Sequence, residues 1–421
     1  MTNAVDFMFS QVSQIKQGGF KVAVQKCGEA ALMLLTAPLV LIIVLIRPLV
    51  LFRFGVPDVT RIGLFSINLE AYLCWREQIY FARHMIDVVG CPRITCNRQL
   101  QAMWERTNLL PFNANFCFVM ERACRFWTRD QMHSITMHAS NFVLLATAKP
   151  HLVFSSSEKL RGINLLEKLG IPAGAPWVCI LNRDGRYLDS RVPAKRYAPG
   201  ASWAYHDHRN FGVETFQDAA VELTNRGYHV LRMGSAAAQS LTANNSMIID
   251  YANHPLQSDF ADIFLLANCT YCIGGDSGLN LVPLVFRKPI AFINFTTIHE
   301  LGRYWDWLNM PFLIKRAWHK TTHRFLTLRE TFAAGLGDAG RAETYAMAGV
   351  EMIDNTRKEI LDLALEVDSR FCGAWLSTRE DDYLQNRFWD CFTKYCPLRH
   401  DRKVQIRIGA LFLREHRYLL D

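Results

Sequence analysis

Two loops carry the residue types that best suit an anionic ligand. Residues 183–213 contain six Arg or Lys side chains with aromatic residues between them, and residues 274–278 have the sequence GGDSG. Each loop follows an apolar run that has the length of a buried strand. Guanidinium groups bind phosphate oxygens through paired hydrogen bonds, and glycines allow a backbone to approach a ligand closely. We therefore predict that both loops contribute to a phosphate-binding site.

The predicted substrate-binding residues are Arg183, Arg209, Gly234, Gly275, Asp276, Ser277 and Gly278. Ser277 would donate a hydrogen bond to a phosphate oxygen, and Asp276 would cap the helix that we predict over residues 277–287. GGDSG matches neither GxGxxG nor a P-loop, so a standard dinucleotide site and a P-loop are both excluded. The alternatives are a solvated basic surface for the first loop and an ordinary helix-capping turn for the second.

Three residues are candidates for a catalytic base. Glu70 follows residues 60–69, which we predict to be a buried strand, and it opens a helical stretch; open α/β sheets bind ligands at such strand ends. Asp207 and His208, in the basic loop, are the second choice. The alternative for Glu70 is a structural carboxylate in the first turn of a helix, where the helix dipole favours it.

The elements that must position these residues alternate from residue 161 onwards. Apolar strands are predicted at 176–182, 228–234, 246–251, 269–275 and 289–294, with helices between most of them. Short connections and strands that are apolar throughout are typical of a doubly wound parallel sheet. Residues 57–160 show a less regular alternation of the same kind, which indicates a first α/β domain.

The composition excludes several classes of protein. Half of the 421 residues are apolar and 20% are charged, which excludes a disordered chain, and a single lipophilic segment excludes a multi-span transporter. The formal net charge of +8 suits an anionic membrane surface or a phosphate-bearing ligand, and we predict no nucleic-acid partner. Twelve scattered cysteines indicate reduced thiols in a cytosolic compartment.

One cysteine pair, Cys269 and Cys272, has CxxC spacing inside an apolar run. No second pair and no nearby pair of histidines would complete a zinc site. We interpret the pair as part of a core strand, with a redox or metal-binding role as the alternative. We predict no metal site and no cofactor.

Residues 30–46 form the lipophilic segment. Their length is at the lower limit for a transmembrane helix, Pro38 interrupts them, and basic residues flank them on both sides. We predict a re-entrant or in-plane membrane anchor within residues 1–56, with a single span and a buried core helix as alternatives. Such an anchor would hold the protein at the cytoplasmic face of the inner (plasma) membrane.

Three segments resemble glycosyltransferases of the GT-B type: CILNRDGRYL (179–188), GYHVLRMG (227–234) and residues 262–294. The last is similar to heptosyltransferase-like and fucosyltransferase-like enzymes, in which a D-[ST]-G turn precedes an apolar helix and a strand that begins after Lys-Pro. Over roughly residues 60–415, the chain resembles a bacterial glycosyltransferase family from surface-polysaccharide loci. In that family a His often follows the glycine of the RIG turn, where this chain has Leu64.

The resemblance implies an α/β fold with two Rossmann-like domains. The chain would then consist of an acceptor domain at 57–160, a nucleotide-sugar domain at 161–395, and a helix at 396–421 that returns to the first domain. The resemblance also implies a membrane-associated, metal-independent and inverting transfer of a sugar from a nucleotide-sugar to a lipid-linked or polysaccharide acceptor. The alternatives are a nucleotide-sugar epimerase of the same fold and a non-catalytic, membrane-tethered binding or scaffold protein.

Overall fold

The computed structural model describes residues 28, 31, 34–79, 84–92, 94–191, 202–235, 237, 239–241, 243–396 and 405–421. The chain divides into two compact units. The first consists of residues 1–57, 80–93 and 108–136, and the second of residues 58–79, 94–107 and 137–421. Each unit has its own sheet and its own apolar core.

The α-helices of the described residues are α1 (34–46), α2 (Ile62–Ile79), α3 (Arg98–Trp104), α4 (Ala114–Thr128), α5 (Ser156–Lys168), α6 (Arg186–Arg191), α7 (Gln217–Asn225), α8 (Asp259–Asn268), α9 (Leu281–Val285), α10 (Ile298–Tyr304), α11 (Leu328–Ala333), α12 (Ala342–Met347), α13 (Arg357–Phe371), α14 (Arg379–Tyr395) and α15 (Ala410–Glu415). The strands are β1 (Val50–Gly55), β2 (His84–Cys91), β3 (Leu109–Asn113), β4 (Trp177–Leu181), β5 (His229–Arg232), β6 (Ile248–Ile249), β7 (Cys272–Gly274), β8 (Ile290–Phe295), β9 (Pro311–Ile314), β10 (Arg316–His319), β11 (Arg324–Phe325), β12 (Val350–Ile353) and β13 (Arg407–Ile408).

The first unit is built on a parallel three-stranded sheet with the order β1-β2-β3. The helices α1 and α4 pack on it through an apolar cluster that includes Val40, Ile43, Phe54, Val88 and Met120. Removing these side chains from water is the main contribution that holds the helices on so small a sheet.

Only one side of α1 is covered. Val40 and Ile43 are 2% and 6% exposed, whereas Leu35, Leu41 and Leu45 are 77%, 59% and 69% exposed. Within the described residues, no helix combines the length and the hydropathy that crossing a membrane requires. The apolar segment therefore does not form a buried core helix, because it presents leucines on its uncovered side.

The second unit is built on a seven-stranded sheet with the order β13-β9-β8-β7-β4-β5-β6, in which every pairing is parallel. The chain runs outward from β4 through β5 to β6, then returns to the other side of β4 for β7, β8 and β9. The strand order therefore reverses between β4 and β7, and parallel sheets bind ligands beyond the carboxyl ends of the strands at such a point. The prediction of an α/β chain with parallel sheets is confirmed.

A smaller antiparallel sheet, β11-β10-β12, also belongs to the second unit. The long helix α13 follows β12 and begins at a capping box. The Thr356 hydroxyl accepts the Glu359 N–H at 3.2 Å, and the Glu359 carboxylate accepts the Thr356 N–H at 2.6 Å. Two of the free N–H groups at the start of this region are thereby satisfied, which fixes where α13 begins.

The prediction of a strand over residues 60–69 is wrong, because residues from Ile62 onwards form α2. This helix is buried on almost every side; Phe65, Ile67 and Tyr72 are at most 2% exposed. A helix without a polar face lacks the 3.6-residue pattern that distinguishes it from a buried strand. Its 18 residues are too many for an ordinary strand, and this length was the available signal.

The units also differ from the predicted domains. Strand β1 falls within the segment 1–56 that we predict as a membrane anchor, and α2 and α3 belong to the second unit. The described C-terminal residues 405–421 belong to the second unit. There β13 extends the large sheet by pairing with β9, and the six-residue helix α15 packs on α13 and α14.

The contact between α5 and α8 allows a direct test of the packing in the second unit. A Cβ at Gly162 would overlap the Phe264 ring, which cannot move aside because the Phe154 and Phe260 rings are each centred 5.5 Å away. We expect Gly162→Ala to lower the free energy of unfolding by about 1–3 kcal/mol in denaturant titrations. Gly340→Ala is the control, because a Cβ there meets open space. Equal stability of the two variants would show that α5 and α8 do not pack this closely.

Candidate active site

A cavity of about 930 Å³ lies at the carboxyl ends of β4, β5, β7 and β8, within the second unit. Residues 182–184 line it after β4, residues 276–279 after β7, and residues 60–64 at the start of α2. The cavity therefore occupies the position at which the strand order reverses. Of the residues that we predict to bind substrate, Arg183, Arg209, Gly234, Asp276, Ser277 and Gly278 line it, and Gly275 does not.

Four arginines of the described residues line this cavity: Arg61, Arg183, Arg209 and Arg232. Arg232 forms an ion pair with Asp250, with its Nη1 3.2 Å from Oδ1, so the other three are the candidates for binding a ligand. Arg209 forms an ion pair with Asp276, with its Nε 2.8 Å from Oδ2. Within the described part of the chain, no carboxylate forms an ion pair with Arg61 or Arg183, and the buried Nε of Arg183 has no hydrogen-bond partner. The cavity thus combines the guanidinium group of Arg209, which a lining carboxylate pairs, with those of Arg61 and Arg183, which form no ion pair within the described residues.

The electrostatic consequence is visible in two titratable groups. Burial and the neighbouring charge of Arg209 lower the pKa of Arg183 to about 10. Burial, followed by the charges of Arg209, Arg183 and Arg61, lowers the pKa of His206 to about 3, so this imidazole is neutral at physiological pH. Burial, the largest cause of both shifts, opposes charge of either sign, whereas the repulsion among the arginines opposes only positive charge. That repulsion favours an anionic ligand next to Arg183 and His206.

Glycine contacts set the position of Arg61. Gly63, in the first turn of α2, lies so close to Gly278 that a Cβ on it would be 2.7 Å from the Gly278 Cα. Any larger residue would push α2 away from the GGDSG loop, so the backbone approach needs glycine here. Because Arg61 stands two residues before Gly63, this contact holds its side chain beside the loop. Its guanidinium carbon is 5.1 Å from the centre of the Trp203 ring.

The GGDSG loop differs from its prediction in two details. Asp276 does not cap a helix, because its carboxylate accepts hydrogen bonds from Arg209 instead. The helix predicted over residues 277–287 is a 3₁₀ turn followed by the five-residue α9. Gly275 serves packing rather than ligand approach, since a Cβ there would overlap the Phe211 ring.

Glu70 lies outside the cavity, in the middle of α2, and is fully buried. Its Oε1 accepts a hydrogen bond from Arg287 Nη2 at 2.6 Å and lies 3.2 Å from His151 Nδ1. Burial opposes protonation of His151, but hydrogen bonds with Cys74 and Glu70 raise its pKa to about 10. The position of Glu70 corrects our first choice of base: the carboxylate pairs with two partly buried cations and does not line the cavity.

Asp207 and His208 also lie outside the lining of the cavity. Asp207 is exposed and accepts a hydrogen bond from the Asn210 amide at 2.9 Å. His208 Nδ1 lies 3.2 Å from the Tyr205 carbonyl oxygen, and its ring is 5.1 Å from that of Tyr345. Burial and Arg209 lower the pKa of His208 to about 4. The structure therefore does not place this pair in the lining of the cavity, although both residues belong to the loop that contributes Arg183 and Arg209.

Arg61 and Glu300 line the cavity but are not among the site residues that we predict from the sequence. Arg61 lies directly before α2, within the residues 60–69 that we predict to be a strand. Glu300 lies in the first turn of α10, which follows β8. Glu300 could have been predicted from the sequence, because it is a charged residue that follows an apolar strand after a short loop. Two further basic residues of the predicted loop, Lys195 and Arg196, lie outside the described residues.

Among the residues that the structure describes, two groups of side chains could hold a metal ion. Cys179 joins Cys269 and Cys272, so that three buried thiols lie within 4.8 Å of one another. Cys272 begins β7 and Cys179 lies in β4, which agrees with our interpretation of the CxxC pair as part of the core. The second group is Glu70 with Cys74 and His151. None of these six residues lines the cavity.

No protein-family model matches this chain, and no curated protein matches its sequence. Structure comparison finds bacterial glycosyltransferases. ADP-heptose LPS heptosyltransferase II from E. coli is 14% identical over 58% of this chain and 83% of its own, with a TM-score of 0.33. A glycosyl transferase family 9 structure from Veillonella parvula is 11% identical over 57% of this chain and 80% of its own, with a TM-score of 0.34.

A third structure, an iron-containing dodecameric glycosyltransferase from enterotoxigenic E. coli, is 12% identical over 61% of this chain and 60% of its own, with a TM-score of 0.30. These proteins are of the kind that the sequence resembles. Their TM-scores are too low to establish a shared fold, so the chemistry of this chain has to be inferred from its own cavity.

A substitution at Glu70 separates a structural role from a catalytic one. Glu70→Gln leaves Arg287 and the protonated His151 without a buried counter-charge, and we expect a loss of about 3–5 kcal/mol in the free energy of unfolding. Glu77→Gln is the matched control, because Glu77 contacts the same imidazole at 3.1 Å but is 63% exposed, and we expect a loss below about 1 kcal/mol. If Glu70→Gln is as stable as the parent, Glu70 does not have the structural role that we assign to it.

Proposed function

We propose that this protein is a glycosyltransferase that uses a nucleotide-sugar, and that the cavity arginines bind the diphosphate of the donor. The observation that carries this proposal is the crowding of Arg61, Arg183 and Arg209 around one paired carboxylate. A diphosphate would pair with Arg61 and Arg183, which have no carboxylate partner within the described residues, in a geometry that guanidinium groups bind in pairs. The resemblance of the sequence to GT-B enzymes also supports a glycosyltransferase function.

The same arginines would assist the chemistry. In the transfer, the bond between the anomeric carbon and the diphosphate oxygen breaks, and the leaving group gains negative charge. Guanidinium groups that are already fixed around that oxygen stabilise the charge as it develops, at little cost of reorganisation. Arg183 and Arg209 would thereby supply the electrostatic role that a divalent cation has in other transferases, and we propose a metal-independent, inverting displacement.

The dimensions and lining of the cavity agree with a ligand of this class. About 930 Å³ is at the upper end of the range for small-molecule sites, and a nucleotide-sugar is a large ligand. Aromatic and aliphatic side chains, among them Tyr187, Ile67 and Trp305, provide apolar surface next to the cationic one. A nucleoside and a sugar need such mixed surroundings, whereas inorganic phosphate would leave most of the cavity unfilled.

We further propose that the first unit attaches the protein to the cytoplasmic face of an anionic membrane. The uncovered side of α1 exposes leucines, and α4 exposes Phe118, Phe126 and Trp127 together with Arg122 and Arg125. Helices that lie in a membrane interface combine aromatic and aliphatic contacts with basic side chains. A lipid-linked or surface-polysaccharide acceptor would be reached there, whereas an epimerase of soluble nucleotide-sugars would gain nothing from attachment.

The diphosphate site can be tested with thermal-shift titrations of ADP, GDP, UDP and CDP against the full chain. A nucleotide at about 100 times its dissociation constant should stabilise the protein by about 2.7 kcal/mol. Arg183→Lys keeps the charge but loses paired hydrogen bonds, and we expect the affinity to fall by about tenfold or more. Arg183→Met should bind still more weakly and yet leave the ligand-free protein as stable as the parent, because it relieves the crowding of buried charge.

Arg186→Met is the matched control for these titrations. Arg186 lies three residues further along the same loop, is exposed and does not line the cavity. Its substitution should leave the nucleotide affinity unchanged. Equal affinities for the parent, the Arg183 variants and the Arg186 variant would show that no diphosphate contacts Arg183.

Membrane attachment can be tested by co-sedimentation with vesicles of phosphatidylethanolamine and phosphatidylglycerol. Replacing Leu35, Leu41 and Leu45 together by Ser removes exposed apolar surface, so we expect weaker vesicle binding by about tenfold or more and an unchanged unfolding midpoint. The control replaces Met347 and Leu376, which are exposed in the second unit, by Ser. If the triple variant binds vesicles as well as the control does, α1 does not mediate attachment.

A further inference from the structure

Sugar transfer to a hydroxyl acceptor needs a group that takes the acceptor's proton, and none of the three bases predicted from sequence reaches the cavity. Five carboxylates line it: Asp184, Asp259, Asp262, Asp276 and Glu300. They differ in how many of their oxygens are already committed to hydrogen bonds. That difference identifies the carboxylate that is available for chemistry.

Two of the four aspartates are fixed by neighbouring donors. Asp262 accepts hydrogen bonds from the Tyr251 hydroxyl at 2.8 Å and from the Gln257 amide at 3.1 Å. Asp259 accepts the backbone N–H of Arg98 at 2.8 Å. The carboxylate oxygens of these residues hold the local backbone and side chains in place, which is a structural use of the charge.

The remaining two aspartates are also engaged. Asp276 pairs with Arg209, and losing its charge would leave one more cation without a partner in the cavity. Asp184 accepts the backbone N–H of Arg186 at 2.9 Å at the start of α6. His206, the imidazole in the lining, is a poor base because burial, followed by the charges of the surrounding arginines, lowers its pKa to about 3.

Glu300 is the exception. It lines the cavity from the first turn of α10, after the carboxyl end of β8, and within the described residues its carboxylate has no hydrogen-bond or ion-pair partner. We propose that the Glu300 carboxylate is the general base of the reaction, which removes the proton from the acceptor hydroxyl. This inference rests on the proposed glycosyltransferase function, and it assigns the catalytic base of that reaction to Glu300.

The surroundings of Glu300 tune it for this use. Burial and the charge of Asp276 raise the pKa of Glu300 to about 7, against the opposing charges of Arg209 and Arg303 and with a further increase from Asp338. A base whose pKa is near the working pH is present in its ionised form and still strong enough to hold a proton in the transition state. An exposed glutamate has an ordinary pKa of about 4.3 and would therefore be a weaker base than Glu300.

The step balances without a further reactant. The acceptor O–H proton passes to a Glu300 oxygen while the acceptor oxygen forms a bond to the anomeric carbon. The bond between that carbon and the donor's phosphate oxygen breaks, and its electron pair leaves with the nucleoside diphosphate. The arginines bind the charge of the leaving group, and the proton on Glu300 is released to water before the next turnover.

The experiment measures nucleoside diphosphate release from ADP-, GDP-, UDP- and CDP-sugars by the full chain, with water as the acceptor. For a donor that the parent hydrolyses, we expect Glu300→Gln to lower kcat by about 10²-fold or more and to change KM and the diphosphate affinity by less than about threefold. Glu351→Gln is the control, because Glu351 is exposed on β12 and lies outside the cavity.

The pH dependence provides a readout that a structural role would not change. The base acts when it is deprotonated, so the rate of the parent should rise with pH up to about 7 and then level off. The residual rate of Glu300→Gln should lack this dependence, and Glu300→Asp should retain it at a lower rate.

The outcomes separate the two proposals. If the parent neither binds a nucleoside diphosphate nor releases one, the proposed function fails and this inference fails with it. If the parent binds and reacts while Glu300→Gln keeps its rate or its pH dependence, the function stands and Glu300 is not the base. Equal losses of diphosphate affinity and rate would make Glu300 a positioning residue and would likewise overturn the inference.

Discussion

The site depends on mutual repulsion among three guanidinium groups that the fold holds in one cavity. Arg61, Arg183 and Arg209 reach it from three separate segments, and within the described residues Asp276 is the carboxylate that pairs with them. Such an arrangement costs stability: burial, followed by the charge of Arg209, lowers the pKa of Arg183 to about 10. The proposed function accounts for this cost, because a diphosphate ligand would convert the repulsion into binding energy and leaving-group stabilisation.

Two structural constraints bring the charges together. The reversal of strand order between β4 and β7 opens a crevice at the carboxyl ends of the parallel strands, where Arg183 and the GGDSG loop follow their strands directly. The contact between Gly63 and Gly278 then holds the start of α2 against that loop. Because Glu70 anchors the same helix through Arg287 and His151, a residue outside the cavity supports the position of Arg61 inside it.

The sequence predicts those parts of the site that depend on local order. Arg183 and Ser277 follow apolar strands, and parallel strands place their carboxyl ends at one edge, so their proximity can be expected from the pattern. The roles of Glu70 and Gly275 cannot be read in this way, because they depend on contacts with Arg287 and Phe211, which are distant in sequence. The uniformly buried α2 lacks a helical period and was therefore indistinguishable from a strand by its pattern alone.

The most direct test of the central claim is a crystal structure of the full chain with the nucleoside diphosphate that stabilises it most. We expect the terminal phosphate to lie within hydrogen-bond distance of at least two of Arg61, Arg183 and Arg209, with Ser277 as a neighbouring donor. A nucleotide bound elsewhere on the protein, or bound here with its phosphates directed into solvent and away from these arginines, would contradict it.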